Sequence, residues 1–179
     1  DASYPLDGAK FDYRIGSSHY FFVDGVYDPV DANYECMKRC VSVYHGDAIR
    51  MAEDYFASFC SYILTYRPDI IGHFDLIMKH SDNITFFDAS SKEYINAAIE
   101  AMEALKGKIP VFEVNTGAMA RGYRKSPYPS MKIIKELKRL GFGVVISSDC
   151  HDKRFIDIGF DDAVELLKEC GYKEKCILT

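Results

Sequence analysis

The chain has 179 residues, a net charge of −5 and a sequence pI near 5.5. It is 48% hydrophobic and 14% aromatic, which excludes a disordered chain and fits one domain with a sizeable core. The acidic balance argues against a nucleic-acid surface, and no apolar run approaches the roughly 18 residues that a bilayer span needs.

Phe11 to Ser17 reads as a short strand, and Gly16 and Ser17 open it into a loop that carries His19. A helix is predicted from about Asp31, with Tyr34, Met37, Cys40, Val41 and Tyr44 at helical spacing. His45-Gly46-Asp47 breaks it. A second helix runs to about Tyr66, with Pro68 just past its end. Asp69 to Asp75 is read as a second strand with His73 at its far end. Lys79 to Asp88 is polar and irregular, and His80 is placed there on the surface. A helix follows from Ser91 to about Lys106, closed by Gly107. Ile109 to Asn115 is a third strand, and Thr116 to Ser126 is a long loop rich in Gly and basic residues. Pro127 to Ser130 leads into a helix that Gly141 closes.

The strand Phe142 to Ser147 ends in Ser148-Asp149-Cys150-His151. At an extended strand end, residues two apart point the same way, so Asp149 and His151 are expected to address one point. A last helix covers Asp161 to Cys170, and Ile177 and Leu178 form a final short strand. Alternation of short apolar strands with helices predicts an α/β fold with a parallel sheet. His19, His73, Asn115, Asp149 and His151 then gather at the C-terminal strand ends, where βα folds keep their working residues.

The six cysteines include no Cys-x-x-Cys, and most fall on apolar helix faces. They are read as reduced thiols, and with no basic or apolar leader at the start the chain is expected to be cytoplasmic.

Gly16-Ser17-Ser18-His19, Ile71-Gly72-His73-Phe74-Asp75, Phe112 to Gly117, Tyr128-Pro129-Ser130 and Ser148-Asp149-Cys150-His151 occur in this order. Together they resemble the later motifs of the PHP (polymerase and histidinol phosphatase) domain family, nearest to its histidinol-phosphate phosphatases. The resemblance runs from about Phe11 to Tyr172. It implies a distorted, TIM-like (β/α)7 barrel that binds two or three metal ions and hydrolyses phosphate esters. His19, His73, Asp149 and His151 would be the metal ligands, and Arg121 would contact the substrate phosphate. The family's opening His-x-His motif has no match here, so the chain is expected to correspond to the C-terminal two-thirds of the domain.

The donor set of imidazole nitrogen and carboxylate oxygen suits Zn, Fe or Mn better than Ca or Mg. A bound ion lowers the pKa of a water to about 7 and clamps ester oxygens. Asp149, His151 and Arg121 are the catalytic candidates; Arg121, Arg124 and Asn115 are the candidate contacts to a small phosphorylated substrate. The alternative for Arg121, Arg124 and Lys125 is a solvated loop, and for Glu113 a buried structural carboxylate. Glu113, in line with Asn115, and Asp75, two residues past His73, are candidate supports for the ligands. Either could also meet the amine of a substrate such as L-histidinol phosphate. Other readings are a phosphoesterase with another substrate, or a PHP domain kept as a non-catalytic structural or regulatory module. Oligomeric state is open.

Overall fold

The computed structural model describes residues 10–23, 25–82, 86 and 88–174. The fold is mixed α/β. Four parallel strands form one sheet in the order β1 (Ile15–Gly16), β4 (Ile70–Ile71), β5 (Val111–Asn115) and β6 (Gly143–Ser147). A separate antiparallel hairpin, β2 (Tyr20–Val23) and β3 (Val26–Pro29), follows β1 directly. Among the described residues the sheet does not close: β1 and β6 are its edges.

The helices are α1 (Tyr34–Val43), α2 (Ala48–Tyr66), α3 (Lys92–Leu105), the single turn α4 (Gly117–Ala120), α5 (Met131–Leu140) and α6 (Phe160–Glu169). Their limits follow local chemistry. Asn33, Asp47 and Ser91 each accept a hydrogen bond from a backbone N–H in the first turn of α1, α2 and α3. Asn33 Oδ1 accepts from Cys36 N at 3.0 Å. Asn33→Ala is therefore expected to cost about 1 kcal/mol, read as a lower urea midpoint at unchanged m-value. Gly141 ends α5 at φ +87, and Arg67 ends α2 at φ +46, just before Pro68.

The longest helix, α2, buries Met51, Ala52, Tyr55, Phe56, Phe59 and Ile63, a 3–4 spacing that makes one continuous stripe. Phe56 lies 4.9 Å from the Phe74 ring and 5.4 Å from the Tyr94 ring, and Phe74 lies 5.3 Å from Phe112. This aromatic cluster ties α2 and α3 to the centre of the sheet. A smaller cluster, with Val114, Ile134, Val144, Ala163, Leu167 and Tyr172, seats α6. Among the described residues no helix is long and apolar enough to cross a membrane. The five described cysteines are free.

Four sequence expectations change. Of Phe11 to Ser17, only Ile15 and Gly16 pair, and the segment expected as a loop around His19 leads into a hairpin. Of Asp69 to Asp75, only Ile70 and Ile71 pair. The reason is at His73, whose backbone N–H donates to Glu113 Oε2 at 2.8 Å instead of to a neighbouring strand. A single helical turn, α4, breaks the long loop that follows β5. The strand expected at Ile177 and Leu178 lies outside the described residues.

Because all four sheet strands run parallel and pair nearly level, their C-terminal ends share one edge: Gly16 pairs with Ile71, and Asn115 with Ser147. The residues that follow each strand meet there.

Candidate functional site

The strand ends bring the expected residues together as two groups. In the first, the His19 and His73 rings meet edge to face with centroids 4.7 Å apart. His73 is 6% exposed, and its Nδ1 is buried with no hydrogen-bond partner. Burial, with the His19 ring beside it, pulls the His73 pKa down from 6.5 to about 4. Near neutral pH it is a neutral imidazole, the form that ligates metal.

Beneath His73 lies a buried polar frame. Glu113 Oε2 accepts from both His73 N and Asn115 Nδ2, the latter at 3.0 Å. Burial pushes the Glu113 carboxyl up in pKa, and the hydrogen bonds from His73, Asn115 and Ser147 pull against that. Asn115 Oδ1 accepts from Gly117 N at 2.9 Å, which starts α4. The Asn115 and Tyr128 backbones exchange two hydrogen bonds, at 2.8 and 2.9 Å, pinning the far end of the loop. Asn115 is thus a buried frame residue with both ends of its amide hydrogen-bonded within the protein.

The second group is more open. Asp149 Oδ2 is 3.3 Å from Arg121 Nη2, and Asp149 O accepts from Arg121 Nη1 at 3.2 Å. His151 Nε2 lies 3.6 Å from Asp149 Oδ1. The two residues meet, but by a different route from the strand alternation expected. β6 ends at Ser147, and Asp149 takes φ +45, a left-handed turn. Asp149 N donates to Ser147 Oγ at 3.2 Å, which steadies that turn. The His151 side chain is 73% exposed.

Two other expected residues are buried. Arg124 is 7% exposed, and its guanidinium lies 4.7 Å over the Tyr128 ring and donates to Ser126 Oγ. It is inside the loop, which a solvated surface does not describe. Asp75 is fully buried, and its Oδ2 accepts from Ser130 N at 2.9 Å. It anchors the start of α5 where it was expected to orient His73. Burial raises its pKa, with Arg124 and Ser130 opposing. Glu113 and Asp75 are both shielded from an incoming amine. His80, expected on the surface, is half-buried against the Tyr123 ring at 5.8 Å.

Asp31 and Lys79 were missed. Asp31 Oδ2 is 3.2 Å from His19 Nδ1 and 3.4 Å from Lys79 Nζ. Burial raises the Asp31 pKa, but these two partners outweigh it and hold it down at about 2. In the sequence Asp31 falls at a helix start and Lys79 in a polar loop, and neither carries a motif that marks it.

The donors present have the chemistry of a transition-metal site, and the unpartnered His73 Nδ1 is a buried nitrogen suited to an ion. Among the described residues, no group of three or more His, Cys, Asp or Glu side chains converges on one metal position. The fit is therefore in donor type, with two pairs of candidate donor side chains around a common edge.

No family model matches the chain. The chain is 25% identical over 176 residues to the probable histidinol-phosphatase of Schizosaccharomyces pombe, covering 94% of the chain and 54% of that protein. It is 27% identical over 167 residues to the probable histidinol-phosphatase of Deinococcus radiodurans, covering 90% and 55%. It is 22% identical over 170 residues to the histidinol-phosphatase of Saccharomyces cerevisiae, covering 83% and 49%. The chain spans about half the length of the curated relatives it matches. Over most of its own length, it is similar to proteins named histidinol-phosphatase.

Proposed function

We propose that the chain carries the site of a metal-dependent phosphatase that hydrolyses a small phosphate monoester, L-histidinol phosphate first among them, in histidine biosynthesis. The supporting observation is the shared strand edge where the buried His73, with the half-exposed His19 ring against it, lies with the Arg121–Asp149–His151 group. The names of the three relatives point the same way. On this reading the whole chain, 1–179, belongs to one PHP domain, and its four parallel strands are part of a distorted TIM-like barrel.

His19, His73, Asp149 and His151 would hold the divalent ions, Zn, Fe or Mn. Such ions supply a nucleophilic water near neutral pH and neutralise phosphate charge. Arg121 presents a planar fork to the phosphate oxygens, with Asp149 holding it in place. The polar frame of Glu113 and Asn115 keeps His73 and α4 fixed, so the groups meet the ester without first reorganising.

The test is phosphate release from L-histidinol phosphate by the full chain with Mn²⁺ or Zn²⁺, with a chelator as control. Turnover is expected with metal, and a fall of at least about 10²-fold with chelator or in His151→Ala, whose exposed side chain can be removed without disturbing the core. A folded, metal-supplemented protein that releases no phosphate would sink the proposal.

A further inference from the structure

The Asp31 carboxylate joins three stretches of chain far apart in sequence. The β2–β3 hairpin folds back so that Val30 N donates to His19 O at 2.9 Å, setting Asp31 beside His19. From the segment after β4, Lys79 Nζ reaches the same Oδ2 at 3.4 Å. The Lys79 side chain is only 14% exposed, and its ammonium stands 4.8 Å over the Tyr123 ring. Neither Asp31 nor Lys79 has a part in the hydrolysis proposed above.

We infer that Asp31 is a positioning residue: it holds His19 by Nδ1, fixes the proton there, and leaves Nε2 as the bare nitrogen. An ionised carboxylate only accepts hydrogen bonds, so the atom 3.2 Å away must donate. A neutral imidazole that donates from Nδ1 carries its lone pair on Nε2. Lys79 donates to the same Oδ2, which ties the Asp31 carboxylate a second time. Free of such a partner, a half-exposed histidine ring samples both tautomers and several rotamers. This inference rests on the reading of His19 as a metal ligand, and it adds the residue that sets which of its nitrogens is offered. Carboxylates that hold a ligating histidine raise its basicity, and their loss costs about 10–100-fold in metal affinity.

The test is long-range proton–nitrogen NMR of ring-labelled protein at about pH 8, with His19 assigned by its loss in His19→Gln. In the wild type, Nδ1 is expected to show the shift of a protonated nitrogen and Nε2 that of a bare one. Asp31→Ala should move His19 toward the mixture of free histidine, and Asp31→Asn, which keeps a side-chain oxygen to accept from Nδ1, should restore the wild-type pattern. Mn²⁺ alone, titrated by calorimetry, should bind about 10–100-fold more weakly to Asp31→Ala than to wild type. A wild-type His19 with its proton on Nε2, or protonated at both nitrogens, overturns the inference without any variant. So does an Asp31→Ala spectrum identical to wild type. These readouts are independent of catalysis. Correct tautomers without phosphate release would defeat the phosphatase reading alone, and turnover with indifferent tautomers would defeat this inference alone.

Discussion

Arg121→Ala is expected to lower kcat/KM for the phosphate ester by about 10²–10³-fold and to leave the urea midpoint unchanged. The two halves of this expectation have different origins. The ion pair with Asp149 is about a third exposed on both sides, and pairs of that kind contribute under about 1 kcal/mol to stability. Removing it should barely touch the fold. The same guanidinium, held by Asp149 at 3.2 and 3.3 Å, presents a fixed fork at the shared strand edge. Its place is set by α4, whose first residue packs tightly: a Cβ on Gly117 would stand 2.7 Å from Ser148 O and 3.0 Å from Arg121 Nη2. Arg121→Lys keeps the charge but loses the fork, so it should recover only part of the loss. Steady-state kinetics beside urea unfolding decide it. A kcat/KM within about threefold of wild type would remove Arg121 from the phosphate site. A lowered urea midpoint would make its role structural.

The site divides into a dry half and a wet half, and this bears on how the protein would work. His73, Glu113, Asn115 and Thr116 are almost fully buried, whereas the side chains of His19, Arg121, Asp149 and His151 remain between 31% and 73% exposed. On the proposed reading, a phosphate ester arriving from solvent would meet the second set first. The buried set cannot move without breaking hydrogen bonds inside the core, so it acts as the fixed reference against which the exposed groups are placed.

The helices were legible in the sequence because each has both a stripe and a stop. In α2 the stripe of Tyr55, Phe56, Phe59 and Ile63 is followed by Pro68, and in α5 the stripe of Ile133, Ile134 and Leu137 is followed by Gly141. The parallel sheet was legible from its short apolar runs, and the four ends of those runs pointed to the candidate site. The hairpin β2–β3 was overlooked although Tyr20, Phe21 and Phe22 lie on either side alternately, with Asp24-Gly25 as a turn signal. Arg124 and Asp75 could not be placed from sequence, because nothing local says whether a charged loop residue turns out to water or in against Tyr128. Asp31 and Lys79 were illegible for a related reason. Their meaning lies in a contact across 48 residues, and no spacing rule reaches that far.

Glu113→Ala is expected to reduce the unfolding free energy by about 2–5 kcal/mol and to abolish turnover, while Glu113→Gln stays within about 1 kcal/mol of wild type. One oxygen, Oε2, accepts both the His73 backbone N–H and the Asn115 amide. Alanine leaves both donors buried and unpaired, at about 1–3 kcal/mol each. The loss also travels. Without Glu113, the Asn115 amide is no longer fixed, and its other end, which accepts from Gly117 N, loosens the start of α4 and with it Arg121. Glutamine keeps a carbonyl oxygen for the two donors, and its amide can face Ser147, so the frame survives. Urea unfolding of both variants, with kinetics on the same preparations, checks the chain of consequences. If the glutamine variant falls as far as alanine, the negative charge and not the acceptor holds the frame, and His73 would depend on the electrostatics of Glu113. If alanine costs nothing, the backbone alone fixes His73, and the short β4 needs another cause than the carboxylate that replaces its next strand partner.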